Sequence, residues 1–317
     1  MITIGTDCSG IEAPIEALKQ LGIPFQHKWA CEKDKFARQS ILANYQPEIL
    51  YNDITQRDHS QLPDVDIYVC GFPCQSFSLM GKKLGTKDPR SNIMLHCIDV
   101  IKIKRPSIFI LENVKNLKFI EKGKPFNYLL DQLNKIMDEK NDPVYNIYYD
   151  ILNTKDYGIP QNRERIFIIG IKKNIQTNDF SKPKRKKMRQ LDEFIIDKTI
   201  RSDINICNSL QKNLDKIKNK DNTHKKNYII TPFTYYSIMK DISPTLTFSG
   251  CKYMFHTTYK RYLTPNECLS LQGFPIDFIN VVGDVKLCKQ IGNSMSVNVL
   301  KSIFTQIFKS TLFNIFV

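Results

Sequence analysis

The first 170 residues alternate short β-branched or aromatic runs with amphipathic helical stretches, and this alternation limits the possible folds more than any other feature. Strands alternating with helices favour an open α/β sheet that is covered by helices on both faces. The predicted strands are ITIGTD, HKWACE, EILYND, DIYVCG, SIFILEN, YNIYYDIL and RIFIIGIK, and the predicted helices include APIEALKQLG, KFARQSILANY, NIMLHCIDVIKIK and FNYLLDQLNKIM. In such a sheet, ligands bind beyond the carboxyl ends of the strands.

Small and polar residues stand where five of these predicted strands end. They are Asp7 to Gly10, Glu32, Asp53, Gly71 to Cys74, and Glu112 with Asn113. A single acidic residue at a strand end is more often a helix cap or a turn residue than a ligand. Five such ends on one edge of a sheet instead predict a ligand site at that edge.

The regular alternation stops after Ile171. KPKRKKMRQ and KNLDKIKNKDNTHKK are polar, rich in charge and poorly periodic, which indicates a second, smaller unit or a long insertion. Order returns at RYLTPNECLSLQGFP, and QIGNSMSVNVLKSIFTQIFKS predicts an amphipathic helix near the C-terminus.

The formal net charge of the chain is +14, and the excess is uneven. Residues 171 to 230 contain 16 lysines or arginines against 7 acidic residues, an excess of +9. A polyanionic partner would explain this basicity. A lysine-rich solvated surface would explain it equally well, so charge alone does not decide between them.

The nine cysteines form an odd set without a CxxC pair, which argues against a disulfide framework or a zinc ribbon, and no metal site is expected. The N-terminus MITIGTDCSG has no basic leader, and no apolar run reaches the length of a membrane span. We therefore expect a soluble, reduced, cytoplasmic protein.

Four ordered segments carry a family resemblance. GFPCQSFS, LENV, IPQNRERIFIIG and QIGNSMSVNV occur in the order and approximate spacing typical of the DNA cytosine-5 methyltransferases. The resemblance covers residues 4 to 172 and 242 to 304 and lapses in the basic middle. It implies a Rossmann-like, S-adenosylmethionine-dependent sheet in a catalytic domain, residues 1–174 completed by 285–317. A target-recognition domain over 175–270 and a hinge over 271–284 are also expected.

The family reaction explains the cysteine in GFPCQSFS. Carbon 5 of cytosine takes a methyl group only after a nucleophile has attacked carbon 6, and a thiolate is suited to that attack. The resemblance assigns this role to Cys74, in a loop where Pro73 fixes the backbone. Cys70, inside the preceding apolar run, is predicted to be structural.

The other catalytic candidates come from LENV and QNRER. By resemblance, Glu112 binds nitrogen 3 and the exocyclic amine of cytosine, while Asn113 braces the loop. Capping of a turn by Glu112 is the plain alternative. Arg163 and Arg165 alternate along a strand start and should share a face. Arg165 is expected to contact the target base and Arg163 to hold phosphate, unless both form an exposed ladder with Glu164.

S-adenosylmethionine is the implied cofactor. Glu32 matches the acid that takes the ribose hydroxyls, Asp53 and Ile54 match the pair beside the adenine, and Glu12 stands where glycine is common in the family. The full set of residues expected to hold the cofactor is Cys8, Ser9, Gly10, Ile11, Glu32, Asp53, Ile54, Gly71, Pro73, Asn293 and Ser294.

Double-stranded DNA is the implied substrate. The segment 79–92, with two glycines and several cations, is suited to a lid that closes after the cytosine has been rotated out of the helix. Met80 lies where an apolar wedge would enter the opened step. The full set of expected DNA contacts is Gln75, Ser78, Met80, Lys82, Lys83, Thr245 and Thr247.

Three alternatives and one partner complete the expectations. A related RNA methyltransferase would typically carry a second proline before the cysteine and a CFT segment, and neither occurs here. A catalytically silent homologue should have lost Cys74, Glu112 or Arg165. A thiol hydrolase would need a histidine in a matching segment, and none of the five is in one. A cognate restriction endonuclease is a further expected partner, and the protein is predicted to be a monomer.

Overall fold

The computed structural model describes residues 1–73, 93–201, 206–220, 228–232 and 239–316. The chain divides into two compact units. The first contains Met1–Leu152, Glu164–Pro183 and Leu300–Val317, and the second contains Asn153–Arg163 and Lys184–Val299.

A seven-stranded sheet forms the centre of the first unit, and every predicted strand is present in it. The strands are β1 Ile2–Asp7, β2 Phe25–Cys31, β3 Ile49–Tyr51, β4 Ile67–Cys70, β5 Ile108–Val114, β6 Tyr145–Asn153 and β7 Glu164–Lys172. Their order is β3-β2-β1-β4-β5-β7-β6. The strands from β1 to β5 pair in parallel, whereas β7 runs antiparallel to β5. The Rossmann-like α/β prediction is therefore confirmed.

The helices beside the sheet also follow the predicted segments. They are α1 Ala13–Gln20, α2 Lys35–Asn44, α3 Ile93–Lys104, α4 Lys124–Asn134 and the C-terminal helix α8 Val297–Lys309, which begins in the second unit. Asp34 caps α2 by accepting a hydrogen bond from the Phe36 amide. In α8, the buried residues Leu300, Ile303, Phe304, Ile307 and Phe308 recur at helical spacing.

Large aromatic side chains fill the interior of the sheet. Trp29, Tyr68 and Phe109 are fully buried, and two glycines lie where their rings cross the strands. A Cβ atom at Gly5 would overlap the indole of Trp29, and one at Gly170 would overlap the ring of Phe109. The close approach of each ring to the neighbouring strand therefore requires glycine.

The second unit contains a small antiparallel sheet of β8 Ile229–Ile230, β9 Phe255–His256 and β10 Arg261–Tyr262, with helices α5 Asn208–Lys220, α6 Pro265–Gln272 and α7 Asp284–Asn293. Helix α5 lies in the region that the sequence marked as poorly periodic. Leu210 packs with Ile230 and Phe255, and Leu214 and Ile217 lie against this cluster. A stripe of one apolar residue per turn in a lysine-rich segment was too narrow to be recognised.

The carboxyl ends of β1 and β4 lie side by side where the order of the strands in the sheet reverses. From β1 the chain builds outward to β2 and β3, and then returns to pair β4 on the other side of β1. Asp7 lies opposite both Cys31 and Cys70. Ligands of open α/β sheets bind at such switch points.

No helix within the described ranges is long and apolar enough to cross a lipid bilayer.

The close approach at Gly5 gives a stability prediction. Gly5→Ala should lower the free energy of unfolding by about 1–3 kcal/mol, because the new methyl group must displace a fully buried indole. The exposed Gln26 on the adjacent strand provides the control, and Gln26→Ala should change stability by less than about 0.5 kcal/mol. Chemical denaturation measures both, and equal stability of the two variants would contradict this packing.

Candidate active site

The loop after β1 has an alternating left-handed backbone. Cys8, Gly10 and Glu12 have φ angles of 50°, 57° and 61°, so every second residue lies in the left-handed region. The Gly10 amide donates a hydrogen bond of 2.8 Å to Oε2 of Glu32, which follows β2. The Asp34 amide donates to the other carboxylate oxygen, Oε1, also at 2.8 Å. Two backbone amides thus hold the Glu32 carboxylate at the carboxyl edge.

This edge has the features that a nucleoside cofactor requires. Apart from Gly10 and its two chain neighbours, no atom of the described residues lies within 4 Å of the position that a Cβ at Gly10 would take. Burial raises the pKa of Glu32 despite its two amide hydrogen bonds, and carboxylate oxygens can accept hydrogen bonds from sugar hydroxyls. The predicted cofactor residues Cys8 to Ile11 and Glu32 therefore fit S-adenosylmethionine.

The other predicted cofactor residues in the first unit occupy different environments. Asp53 Oδ1 accepts hydrogen bonds from the amide and the hydroxyl of Thr55, and Oδ2 pairs with Lys33 at 2.8 Å. Ile54 is buried in the core of the unit. Gly71 is half-buried and Pro73 is exposed, directly after β4. Asp53 can therefore meet a ligand only through acceptor positions that Thr55 and Lys33 leave open.

A buried ion pair lies directly beneath the loop. Oδ2 of Asp7, at the end of β1, lies 2.6 Å from Arg57 Nη2 and 2.8 Å from the hydroxyl of Tyr68 on β4. The Arg57 guanidinium also lies over two rings, 4.9 Å from the Trp29 centroid and 5.2 Å from that of Tyr51. Burial lowers the pKa of Arg57, but the Asp7 carboxylate outweighs that effect and raises it. Arg57 thus pairs with Asp7 on β1 and lies against aromatic rings of β2 and β3.

Two catalytic candidates meet on β5 and β7. The antiparallel register places Val114 opposite Arg165, and Arg165 Nε lies 3.2 Å from Glu112 Oε1. Glu112 is buried, with only 8% of its surface exposed. Glu164 pairs with Lys115 at 2.9 Å through its side chain, rather than with either arginine. A buried carboxylate next to a guanidinium can both orient and polarise a nitrogen heterocycle.

Asn113 connects this pair to the loop after β4. Its side-chain amide donates a hydrogen bond of 2.8 Å to the carbonyl of Phe72, two residues before Cys74. Cys74 itself lies outside the described residues, together with the predicted DNA contacts Gln75, Ser78, Met80, Lys82 and Lys83. The described part of the loop is therefore anchored to the strand that carries Glu112.

Arg163 lies in the second unit and is only 2% exposed. Its guanidinium donates to three backbone carbonyls, those of Leu246 at 2.7 Å, Gly292 at 3.4 Å and Ser294. The burial of Arg163 argues against the expected phosphate contact, because its guanidinium already donates to carbonyls inside the protein. Alternation along the strand could not reveal it, because the strand begins at Glu164.

The remaining predicted site residues also lie in the second unit. Thr245 donates its hydroxyl to the carbonyl of Asn162 at 2.6 Å, and the hydroxyl of Thr247 accepts from the Gly250 amide at 3.0 Å. Asn293 is exposed and Ser294 is buried. Their proposed contacts with DNA and cofactor stay predictions. Within the described ranges, no group of three or more His, Cys, Asp or Glu residues is arranged to hold a metal ion.

Comparison with known families shows which family the chain belongs to. The chain matches the family of C-5 cytosine-specific DNA methylases from residue 6 to residue 309. It belongs to that family. The protein is thus a cytosine-5 DNA methyltransferase, and family membership implies S-adenosylmethionine as its methyl donor.

Relatives of this methyltransferase include bacterial enzymes over most of its length. It is 34% identical to the Type II methyltransferase M1.ScrFI of Lactococcus lactis subsp. cremoris over 280 residues, which is 87% of this chain and 70% of the relative. It is 31% identical to the Type II methyltransferase M.Bsp6I of Bacillus sp. (strain RFL6), covering 98% of this chain and 100% of the relative.

Solved structures share the fold. The S. pombe Dnmt2 methyltransferase has a TM-score of 0.66 at 18% identity and matches 98% of this chain and 99% of its own. The Entamoeba histolytica methyltransferase EhMeth has a TM-score of 0.68 at 19% identity, with 98% of both chains covered.

Two residues that matter to the methyltransferase escaped sequence reasoning. Arg57 follows a short helical turn in the segment ITQRD, where no pattern distinguishes it from a surface arginine. Gln161 is fully buried in the second unit, and its side-chain amide donates to the Leu271 carbonyl at 2.8 Å. In the sequence, its position two residues before Arg163 in QNRER could have pointed to it.

The placement of Arg163 gives a prediction that separates a structural role from phosphate binding. Arg163→Lys should cost about 1–3 kcal/mol of stability, because a single ammonium cannot satisfy all three carbonyls. Arg189→Lys, at an exposed pair with Glu193, should cost less than about 1 kcal/mol. Arg163→Gln removes the charge, and salt titrations of DNA binding by this variant should keep the wild-type slope. A shallower slope at unchanged stability would instead assign Arg163 to phosphate.

Proposed function

We propose that this methyltransferase modifies carbon 5 of a cytosine rotated out of duplex DNA, within one short recognition sequence, through a covalent bond between Cys74 and carbon 6. The observation that carries the proposal is the pair between the buried Glu112 and the half-buried Arg165, with Asn113, beside Glu112 on β5, anchoring the loop that leads to Cys74. The Type II names of its relatives support a role in restriction and modification, with a cognate endonuclease as partner.

S-adenosylmethionine, when bound, supplies the methyl group as an electrophile. Glu32 and the loop from Cys8 to Ile11 would hold its ribose and methionine parts at the sheet edge, with Asp53 and Ile54 beside the adenine. Gly71 and Pro73 would line the side toward the target base. Asn293 and Ser294 are also proposed as cofactor residues.

The protein's own groups would then act on the cytosine. The Cys74 thiolate forms a bond to carbon 6, and the electron pair of the 5,6 double bond moves to carbon 5, which becomes nucleophilic. Glu112 hydrogen-bonds nitrogen 3 and the exocyclic amine, relieving the charge that develops in the ring. Arg165 holds the Glu112 carboxylate in place. After methylation, loss of the proton from carbon 5 expels the Cys74 thiolate and restores the double bond.

Replacing the nucleophile tests this chemistry directly. Cys74→Ser should abolish methyl transfer and leave DNA affinity within a few fold, since an alkoxide is not available at neutral pH. Cys207→Ser, at the exposed cysteine beside α5, should retain full activity. Duplex DNA containing 5-fluorocytosine should trap a covalent complex with the wild type, because fluorine cannot leave as a cation. A trapped complex with Cys74→Ser would contradict the assignment.

We further propose that residues 175–270 form the target-recognition domain and that its basic strip binds DNA phosphates. The strip KPKRKKMR, residues 182–189, carries six cations and no acid. Its backbone is fixed, since the Lys186 amide donates to the Asp156 carbonyl and the Arg189 amide to Gly158. Lys184, Lys186 and Lys187 are exposed and form no ion pair within the described ranges, which leaves them available for phosphate.

Charge removal from this strip should appear in the salt dependence of DNA binding. Each phosphate contact contributes about 0.9 to the slope of log affinity against log salt, so Lys184, Lys186 and Lys187 changed together to Gln should reduce it by about 2.7. The matched control changes three exposed lysines of the first unit to Gln, Lys135, Lys140 and Lys173. An equal loss of slope in both triple variants would mean that the strip contributes no more to DNA binding than other exposed lysines do.

A further inference from the structure

Glu12 is a fully buried acid inside the proposed cofactor loop. It directly precedes α1 with a left-handed backbone, φ 61°, and its exposed fraction is 0%. Glu12 stands where the family resemblance leads us to expect glycine. A non-glycine residue in this conformation persists only where its surroundings hold it.

The Glu12 side chain belongs to a chain of hydrogen bonds that crosses the loop. The hydroxyl of Thr6 on β1 donates to Glu12 Oε1 at 2.8 Å and lies 2.9 Å from the hydroxyl of Ser9. The Ser9 hydroxyl in turn accepts from the Cys31 amide on β2 at 3.3 Å. The Glu12 amide donates to the Ser9 carbonyl at 2.9 Å. Glu12 thereby ties the loop to both strands from the inside.

No cation faces this carboxyl among the described residues. The ionisable groups around it are His27 on β2, with Nε2 3.7 Å from Oε1, Asp7 at the end of β1 and Glu32 after β2. Within the described ranges, neither ring nitrogen of His27 has a hydrogen-bond partner, and Oε2 of Glu12 has none either. Burial raises the pKa of Glu12 to about 8 and lowers that of His27 to about 4. Burial therefore favours the uncharged form of both groups.

The loop that Glu12 holds also contains Gly10, whose amide donates to the Glu32 carboxylate. Only two residues, Gly10 and Ile11, separate the hydrogen bonds at Ser9 from those at Glu12. A shift of the Glu12 side chain would therefore move the Gly10 amide and release one of the two hydrogen bonds that orient Glu32.

We propose that Glu12, as an uncharged carboxyl group, is a positioning residue for S-adenosylmethionine that holds the 8–12 loop in the conformation presenting Gly10 and Glu32. This inference rests on the proposed cofactor site at the same loop. Ionisation of Glu12 adds a negative charge to a buried site that already contains Asp7 and Glu32. The loop then moves to reach water, and cofactor affinity falls as pH rises through about 8.

The same group also affects folding, over a lower pH range. An unfolded Glu12 loses its proton near the ordinary value of 4.5, whereas the folded protein keeps it to about 8. Between these values the folded state binds more protons, so the free energy of unfolding decreases as pH rises from 4.5 to 8. Glu12→Gln removes this decrease, because the amide never ionises, while its oxygen still accepts from Thr6.

The experiment combines calorimetric titration of S-adenosylmethionine with thermal unfolding, both from pH 5 to pH 9. The variants are Glu12→Gln and, as matched control, Glu16→Gln, the buried acid one turn further along α1. Titration of the ligand's own amine affects all proteins equally and cancels in their ratio. The ratio of the wild-type Kd to that of Glu12→Gln should rise about tenfold per pH unit above pH 8. The Glu16→Gln protein should follow the wild type.

The outcomes separate this inference from the function on which it rests. A constant Kd ratio, or a stability difference between wild type and Glu12→Gln that does not grow from pH 5 to pH 8, overturns the role of Glu12. Folded wild-type protein that binds no S-adenosylmethionine at any pH overturns the proposed cofactor site itself. Should Glu12→Gln not fold, Glu12→Gly serves instead, with weaker binding expected at pH 7 and no step near pH 8.

Discussion

The buried ion pair between Asp7 and Arg57 is the interaction on which the site depends. It lies where β1 pairs with β2 on one side and with β4 on the other, so it joins strands that diverge from the switch point. The rings of Trp29 and Tyr51 and the hydroxyl of Tyr68 enclose it. Removing one partner would leave an uncompensated charge in the core, which costs about 3–5 kcal/mol. The loop after β1 starts directly from Asp7.

Two neighbouring parts of that edge divide the work. The loop after β1 and the acid after β2 are held by backbone amides and hydroxyls, an environment suited to orienting a nucleoside. β5 and β7 supply a carboxylate and a guanidinium 3.2 Å apart, an environment suited to a ring that gains and loses charge. Asn113 couples the second part to the loop after β4, at the Phe72 carbonyl. Because Glu112, Asn113 and Arg165 stand on strands, their geometry is set by the sheet.

The sheet could be predicted from the sequence because its strands are buried on both faces and read as continuous apolar runs, as β4 and β5 do. The edge that gathers Glu32 and Glu112 followed from topology alone. What the sequence did not reveal depends on tertiary contacts. Arg57 and Arg163 resemble surface arginines until the chain folds around them, and α5 has an apolar stripe too narrow to stand out among its lysines.

The proposed function can be tested by transferring labelled methyl from S-adenosylmethionine to unmodified duplex DNA and mapping every modified base by sequencing. Transfer RNA serves as the competing substrate. We predict label on carbon 5 of cytosine at one short recurring DNA sequence, and none on RNA. Label on RNA alone, on a different base or at no recurring sequence would contradict it.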